Sequence, residues 1–320
     1  MNKVWVTGDA VVDLIPDGEH HYLKCPGGAP ANVAVAIARL GGETGFIGRV
    51  GSDPLGSFML NTLASENVDT RFMHRDETQR TSTVLVDLDE HGERSFTFMV
   101  KPSADQFVQP YDFPLFEKGQ WLHACSIALA NEPSRSATLG AMQACRDKGG
   151  FVSFDPNLRE DLWQSEAQML ETVWQALPLA DVVKVSDDEL ALVTKPFITE
   201  THSVKARLAA LVEHAPNVSL WVVTQGSEGA RVAFHQTVWQ VAATPANVVD
   251  TTGAGDAFMG GLLAALAKLS DWQTPEAVTE AVRQCNCCGA LATTAKGAMT
   301  ALPTASQLAG NDMFIYQPSS

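Results

Sequence analysis

Positively charged residues are scarce in this sequence. It contains 22 Lys and Arg against 37 Asp and Glu, which gives a formal net charge of -15. Nucleic acids and anionic membranes are bound through clustered positive charge, so this balance argues against both as partners. An anionic ligand would instead need donors that are arranged locally.

Long apolar runs and cysteine-rich segments are also missing. No stretch approaches the roughly 18 apolar residues of a transmembrane helix, and the first residues lack the apolar core of a signal peptide. Six cysteines in 320 residues are too sparse for a disulfide scaffold and suit a reducing compartment. We therefore expect a cytoplasmic protein.

One short motif nevertheless raises the question of a metal site. Cys285 and Cys288 form a CxxC within RQCNCCGA. A zinc site would need a second such pair or a histidine cluster, and the eight histidines show no HExxH spacing. Free cysteine is among the most buried residue types. We expect both cysteines to lie in the core of a helix.

The hydrophobic pattern predicts an α/β fold. Runs such as VWVTGDA, FVSFDPN, DVVKVS and SLWVVTQG read as strands, and helix-like runs such as ANVAVAIARLGG follow most of them. This alternation favours one domain, residues 1–320, with a central mostly parallel sheet flanked by helices on both faces. In such folds ligands bind beyond the carboxyl ends of the strands.

One segment departs from the alternation of strands and helices. TSTVLVDLDEHGERSFTFMV contains two alternating runs joined by DEHG, which predicts a β-hairpin. We expect it to belong to a small β lid over the edge of the main sheet, with lid elements at about 11–25 and 81–104.

Residues 250–258 read DTTGAGDAF and begin the apolar run AFMGGLLAALAKL. In this run Phe258, Leu262, Leu266 and Leu269 share one helical face, so a buried helix begins near the motif. In one interpretation, Thr252 or Asp256 caps this helix and the glycines turn the chain.

The same stretch also suits phosphoryl transfer. A turn without large side chains lets a ligand approach the backbone, and the N–H groups at a helix start bind anions with the helix dipole behind them. Asp256 would then lie beside a phosphate, where its negative charge is unfavourable unless the carboxylate has a chemical role. Accepting the proton of an attacking hydroxyl is such a role.

Two nucleotide-binding classes are not supported. The first strand turns through GDAVVD where a dinucleotide-binding dehydrogenase would have GxGxxG. The sequence also contains no GxxxxGK[ST] motif of a P-loop NTPase.

The ordered motifs resemble those of the ribokinase-like carbohydrate kinases. DTTGAGDAF resembles the second signature of that family and CPGGAPANVAVAIARLGG the first, while TQGSEG and KGAMTALP resemble its nucleotide and cation loops. The resemblance implies a ribokinase-like fold and an ATP-dependent sugar kinase. Within the family, GDAVVDLIPDG, GERSFTFMVKPSAD and SFDPNLR are most similar to the bacterial members that phosphorylate fructose. Aminoimidazole riboside is the alternative substrate, and a non-catalytic sugar or nucleotide sensor is a third hypothesis.

The resemblance also implies roles for individual residues. Asp256 corresponds to the catalytic base, and the turn before it corresponds to the anion hole of the family, formed by Gly253, Ala254 and Gly255. The sugar pocket corresponds to Asp9, Asp13, Gly27, Gly28 and Asn32. Asn32 would alternatively cap a helix. Phe96 and Phe98 of the hairpin would cover the sugar or belong to the core of the lid.

The implied nucleotide and cation sites lie later in the chain. The residues that correspond to the ATP site are Asn157, Arg159, Lys184, Ser186, Glu189, Thr224, Gly226, Gly229 and Asn286. Glu189 would also organise magnesium through water. A monovalent cation, implied to be potassium, would be held by Asp250 and Thr252 together with backbone carbonyls near Ala292, Ala295 and Gly297; in the alternative interpretation Asp250 only forms a turn.

The sequence departs from the family pattern at two of these positions. Ser186 stands where relatives usually have Asn, and Ala301 where they often offer a hydroxyl ligand. A surface ion pair is the alternative role of Arg159. For the assembly, a homodimer through the lid is one option.

Overall fold

A computed structural model describes residues 2–88, 94–198 and 203–310. Within these ranges the chain forms thirteen β-strands and nine α-helices. The strands are β1 (Val4–Thr7), β2 (Val11–Pro16), β3 (Tyr22–Gly27), β4 (Thr44–Gly51), β5 (Asp69–Asp76), β6 (Thr83–Leu88), β7 (Arg94–Phe98), β8 (Trp121–Cys125), β9 (Phe151–Asp155), β10 (Val182–Ser186), β11 (Leu220–Thr224), β12 (Ala230–Phe234) and β13 (Thr237–Val241). The helices are α1 (Ala29–Arg39), α2 (Pro54–Ser65), α3 (Ser134–Asp147), α4 (Glu166–Ala176), α5 (Asp187–Val193), α6 (Val204–His214), α7 (Ala254–Leu266), α8 (Pro275–Ala292) and α9 (Ala305–Ala309).

Nine strands form the main sheet, in the order β13-β12-β11-β10-β9-β8-β1-β4-β5. Neighbours from β11 to β5 are parallel, and β12 and β13 extend one edge antiparallel. The predicted mostly parallel sheet is confirmed. Because β1 pairs with β4 on one side and β8 on the other, the strand order reverses there. The carboxyl ends of β1 and β8 therefore open the kind of crevice in which α/β proteins bind ligands.

Apolar side chains cover both faces of this sheet. Val4 and Val6 of β1 belong to one buried cluster, and Trp5 between them belongs to the other. Helices α1, α2, α7 and α8 contribute to the first cluster and α3 to α6 to the second. Burial on both faces explains why the strands read as nearly continuous apolar runs.

Four strands form a second, small sheet in the order β3-β2-β6-β7. Strands β6 and β7 are antiparallel, as predicted for the hairpin; the residues that join them, 89–93, lie outside the described ranges. Val11, Val84 and Val86 form a small core of this sheet, and Phe98 packs against it. The sheet occupies the segments for which a lid was predicted.

The CxxC cysteines lie in the core, as predicted. Cys285 and Cys288 are fully buried on α8, and the thiol of Cys285 donates to the carbonyl of Ala281 at 2.6 Å. None of the described helices is both long enough and apolar enough to cross a membrane.

The apolar face predicted for α7 was wrong at one position. Phe258, Leu262 and Leu266 are buried, but the helix ends at Leu266. Leu269 is 37% exposed because the chain leaves helical geometry after Ala267, which is the C-cap.

Candidate active site

The first turns of α1 and α7 meet at the centre of the site. A Cβ added to Gly260 would lie 2.4 Å from the Cβ of Ala36, so a glycine is needed where the two helices touch. One turn earlier on each helix, Asn32 Nδ2 donates to Asp256 Oδ2 at 2.8 Å. Asn32 therefore does not cap α1, whose N-cap is Gly28, and that alternative was wrong.

The start of α7 is a sharp turn at Gly253, which has φ +78°. A Cβ here would lie 2.9 Å from the Cα of Ala298. Within the described ranges no side chain caps this helix, because the hydroxyl of Thr252 donates to Asp250 Oδ1 at 2.6 Å. The prediction that Thr252 or Asp256 caps the helix was thus wrong. The positive end of the helix dipole has no side-chain cap among the described residues.

A buried ion pair lies beside this turn. Lys184 Nζ is 2.7 Å from Asp155 Oδ2, and the residues are 6% and 2% exposed. A Cβ on Gly255 would lie 3.4 Å from Lys184 Nζ, so the ammonium group borders the GAG turn. Burial acts to lower the pKa of Lys184, but the carboxylates of Asp155 and Glu189 outweigh it and raise that pKa. The amine therefore stays charged where an anion would bind.

Asp256 has the properties of a proton acceptor. Burial raises its pKa to about 6, against the hydrogen bond from Asn32 and the charge of Lys184, which act to lower it. A general base works best when its pKa lies near the operating pH. Asp256 is mostly ionised at neutral pH, yet it remains basic enough to take a proton.

The candidate sugar residues lie on the segments that follow β1: Asp9 directly after it, Asp13 on β2, and Gly27 and Gly28 where β3 passes into α1. A Cβ on Gly27 would lie 2.4 Å from Asp13 Oδ2, and one on Gly28, which has φ +95°, would lie 2.6 Å from the carbonyl oxygen of Asp9. Burial raises the pKa of Asp9 to about 8, and the negative charge of Asp105 adds to that effect. The two glycines thus let the chain pass beside the Asp13 carboxylate and the backbone of Asp9.

Several buried oxygen atoms in this region have no hydrogen-bond partner among the described residues: Asp9 Oδ1, Asn32 Oδ1 and Asp105 Oδ1. Buried polar groups in native proteins are nearly always paired. These oxygen atoms therefore fit a ligand that brings several hydroxyl groups, as a sugar does, since a hydroxyl can both donate and accept.

Sequence reasoning assigned no role to two acidic residues of this region. Asp105 is 6% exposed, and its charge acts on Asp9. Asp155 pairs with Lys184. Asp155 follows a predicted strand, which was a usable signal. For Asp105 the sequence offered only its place in KPSAD after the hairpin.

Ser186 and Glu189 form the start of α5. The Ser186 hydroxyl accepts from the Glu189 amide at 3.2 Å, and Glu189 Oε2 accepts from the Ser186 amide at 2.8 Å. Glu189 Oε1 accepts from the amide of Leu158 at 2.7 Å. Both carboxylate oxygens are engaged, so Glu189 suits a water-mediated contact to a cation. Ser186 acts here as a helix cap.

Asn157 and Arg159 follow β9 at the same edge of the sheet. Asn157 has φ +42°, a left-handed conformation that Asn tolerates better than most residues. Arg159 is exposed, yet its positive charge acts to lower the pKa of Asp9 and of Asp256, both of which burial raises overall. The guanidinium group therefore acts on the site electrostatically.

The predicted nucleotide loop follows β11, which ends at Thr224. Gly226 and Gly229 both have positive φ, and a Cβ on Gly229 would lie 2.2 Å from the carbonyl oxygen of Val241. Asn286 Nδ2 donates to the same carbonyl at 3.3 Å. Gly229 and Asn286 therefore meet at the end of β13, a contact that also gives each a structural role.

Asp250 joins the two segments of the predicted cation site. Its Oδ1 accepts from the amide of Thr252 at 3.0 Å, and its Oδ2 accepts from the amide of Gly297 at 2.9 Å. Its own amide donates to the carbonyl of Thr293 at 3.1 Å. Asp250 thus does form a turn, and it places Thr252 beside the segment that contains Ala295.

Acidic and soft metal ligands are not concentrated at this place. Across the described parts of the chain, no group of three or more His, Cys, Asp or Glu could hold a metal ion. A monovalent cation at Asp250 would depend mainly on carbonyl and hydroxyl oxygens, such as the carbonyl of Ala292 at the end of α8.

The two hairpin phenylalanines differ in what the structure describes. Phe98 is half-buried against the small core of the second sheet, with Lys101 Nζ 5.5 Å from its ring centre. The backbone of Phe96 pairs with Val86, and its side chain lies outside the described part. This packing favours the lid-core role for Phe98.

The fold and the site together define a class of protein. Phosphoryl transfer requires a group that orients and deprotonates the attacking hydroxyl, and fixed positive charge around the moving phosphate. At the uncapped start of α7, Asp256 offers a carboxylate of raised pKa and Lys184 a fixed positive charge. An α/β phosphotransferase with an alcohol acceptor has this chemistry.

Comparison with known proteins identifies the family. The model of the pfkB family carbohydrate kinases matches residues 1–305, and the chain belongs to this family, with its ribokinase-like fold. The fructokinase of Vibrio alginolyticus is 54% identical over 308 residues, which cover 96% of this chain and 98% of that protein. The aminoimidazole riboside kinase of Salmonella typhimurium is 42% identical, with 96% and 94% covered.

Solved structures give the same result. The fructokinase of Vibrio cholerae O395 with fructose, ADP and calcium ion bound is 57% identical and superposes with a TM-score of 0.90, covering 97% of this chain and 98% of that one. A double mutant of that enzyme with fructose, ADP and potassium ion bound is 56% identical, with a TM-score of 0.90 and 97% of both chains covered.

Proposed function

We propose that this chain is an ATP-dependent fructokinase, which transfers the γ-phosphate of MgATP to the C6 hydroxyl of fructose and releases fructose 6-phosphate and ADP. The observation that carries the kinase reaction is the position of Asp256 beside Lys184 at the uncapped start of α7. The preference for fructose follows from the higher identity to fructokinases than to the riboside kinase.

Asp256 acts as the base in this proposal. It takes the proton of the sugar hydroxyl as the oxygen attacks the γ-phosphate, while Asn32 holds its carboxylate in place. The turn formed by Gly253, Ala254 and Gly255, with Lys184 beside it, stabilises the charge on the transferred phosphate.

The sugar binds at the end of β1. Asp13 and the unpaired acceptor oxygens of Asp9 and Asn32 receive its hydroxyl groups, and Gly27 and Gly28 keep the space beside them free. A pocket of this kind rejects sugars that leave its buried polar groups unpaired. Asp105 is placed to support Asp9 through charge.

The nucleotide lies along the loop after β11. Thr224, Gly226 and Gly229 let the backbone approach it, and Asn286 lies at its border. Its phosphates meet Lys184, Asn157 and Arg159. Magnesium, when bound with ATP, neutralises charge on the phosphates, and Glu189 with Ser186 beside it would contact the ion through water.

Potassium is the proposed activating cation. Asp250 and Thr252 would hold it with carbonyl oxygens near Ala292, Ala295 and Gly297. The position supports this role because Gly297 and Asp250 are hydrogen-bonded and Gly253 of the anion hole follows directly. Ala301 offers no hydroxyl, so we expect moderate activation.

The main alternative is an aminoimidazole riboside kinase. Purified protein should release ADP with fructose in the presence of magnesium, more slowly without potassium, and at background rate with ribose or no sugar. Turnover on the riboside in place of fructose would keep the fold and Asp256 but change the substrate. If the protein still binds ATP but releases no ADP above background with any of the sugars, it would instead be a non-catalytic sensor.

The ionisation of Asp256 predicts the acid limb of the pH profile. Its base form is lost as the pH falls through about 6, since burial raises its pKa to that value. We therefore expect kcat/KM for fructose to fall below about pH 6, tenfold per pH unit. The groups that face Asp256 are Asn32, Lys184, Asp155 and Arg159; Lys184 and Arg159 are positive and act to lower its pKa, and Asp155 is negative and acts to raise it. A rate that stays constant down to pH 5 would contradict a base with this pKa.

Other features stay predictions. These are the single domain over 1–320, the closing of the small sheet as a lid over the sugar with Phe96 and Phe98, the homodimer through that lid, and the cytoplasmic location. Fast proteolysis within residues 83–100 that fructose does not slow would contradict the closing lid.

A further inference from the structure

Arg39 makes four hydrogen bonds at the end of α1, about two helical turns after Asn32. Its Nε and Nη2 donate to the two carboxylate oxygens of Glu66 at 2.9 and 2.7 Å. Its Nη1 donates to the carbonyl of Met299 at 3.0 Å and to that of Leu302 at 2.8 Å. One guanidinium group therefore ties the ends of α1 and α2 to residues 299–302.

Glu66 and the segment 299–302 both hold the Arg39 guanidinium group in a fixed position. Glu66 is the C-cap residue of α2, and its fork to Arg39 keeps the pKa of that carboxyl below its usual range. Met299 and Leu302 are each 2% exposed, so the carbonyls lie on a buried, packed segment. Bidentate pairs of this kind add geometric specificity beyond their energy.

The other side of this segment contacts the active site. Ala298 packs so closely against Gly253 that a Cβ on Gly253 would lie 2.9 Å from the Cα of Ala298. The amide of the preceding residue, Gly297, donates to Asp250. Residues 297–302 therefore lie between Arg39 and the turn that begins α7. A displacement of Met299 would reach Gly253 through its direct chain neighbour Ala298.

Helix α1 thus contacts the catalytic apparatus at both ends. Asn32 in its first turn holds Asp256, and Arg39 in its last turn holds residues 299–302. Because these contacts lie at opposite ends of one helix, loss of Arg39 would disturb the anion hole and leave the bond between Asn32 and Asp256 in place.

We propose that Arg39 is a positioning residue, which sets the anion hole and the monovalent-cation site through residues 297–302. This inference rests on the proposed kinase function. The Arg39 side chain touches neither sugar nor phosphate in this proposal, and it acts through Gly297 and Ala298.

Arg39→Lys tests the proposal because it keeps the charge but loses the planar fork. We expect kcat to fall by about 10- to 100-fold, since small misplacements of reacting groups have effects of this size. KM for fructose should stay within about twofold, as the sugar side of α1 is unchanged. The potassium concentration for half-maximal activation should rise several-fold.

A matched surface pair provides the control. Arg71 also binds a carboxylate, that of Asp69, but its side chain is exposed. Arg71→Lys should leave kcat and the potassium response within about twofold of wild type, with Asp69 still paired to Lys3.

The outcomes separate the inference from the proposed function. Wild-type turnover on fructose or another sugar tests the function first, and Arg39→Lys is then compared with wild type on whichever sugar reacts. Unchanged kcat would overturn the positioning role. A rise of sugar KM that parallels a loss of thermal stability would also overturn it, because it would indicate that the whole fold has loosened. If Arg39→Lys does not fold, Glu66→Gln provides the test: a fall of kcat by about threefold with constant sugar KM supports the role, and no change overturns it.

Discussion

Asp256→Asn is expected to lower kcat for fructose by about 10²- to 10⁴-fold, the usual contribution of a general base. The amide has the same shape and still offers an oxygen to Asn32 Nδ2, but it cannot take up a proton. KM for fructose should therefore change little. Steady-state ADP release at saturating MgATP measures both constants.

Stability should not fall in the same variant. Burial raises the pKa of Asp256, so the ionised carboxylate destabilises the folded state above the pH at which the unfolded carboxyl ionises. At pH 8 the amide should be at least as stable as wild type in thermal unfolding, and the difference should shrink as the pH falls toward 4. A loss of activity is then not a loss of fold.

Asp181→Asn is the matched control. Asp181 is a partly buried carboxylate whose pKa burial also raises, but it accepts from Arg146 and from the amide of Val152, away from the site. Because the pKa of Asp181 is also raised, its amide should likewise be no less stable than wild type at pH 8, and kcat should stay within about twofold. Near-normal activity of Asp256→Asn would refute the assignment of the base.

Local patterns in the sequence predicted much of the fold. The alternation of strand and helix runs predicted the parallel sheet, and DTTGAGDAF predicted a glycine turn at the start of a helix. These succeed because hydrophobic period and glycine conformation are properties of neighbouring residues. The sequence could not place the end of α7, where Ala267 closes the helix before Leu269.

Contacts between distant segments were beyond such patterns. Asn32 was weighed as a helix cap, yet it meets a residue 224 positions away because Ala36 and Gly260 let two helices touch. Thr252 was weighed as a cap, yet it donates to Asp250. Each polar side chain had a local partner and a distant one, and tertiary packing decided between them.

The residues missed altogether have the same explanation. Arg39 looks like an ordinary basic residue in the last turn of a helix, a favourable place for positive charge. Its four bonds reach Glu66, Met299 and Leu302, which follow 27 to 263 positions later. Only the folded chain brings these distant partners together around one guanidinium group.

The buried pair of Lys184 and Asp155 gives the second large effect. Lys184→Met leaves the Asp155 carboxylate buried without its partner, and breaking a buried pair in this way costs about 3–5 kcal/mol in free energy of unfolding. The same change removes fixed positive charge beside Gly255, so we expect kcat to fall by about 10²- to 10³-fold.

A double variant separates these two consequences. Lys184→Met with Asp155→Asn removes both charges of this pair, so most of the free energy of unfolding should return, as measured by urea denaturation. The rate should not return, because the phosphate still lacks its cation. Recovery of stability and kcat together would show that Lys184 only balances Asp155. Recovery of stability alone places the ammonium group in the reaction, where the charge on Asp155 keeps it protonated and fixed beside the turn that receives the phosphate.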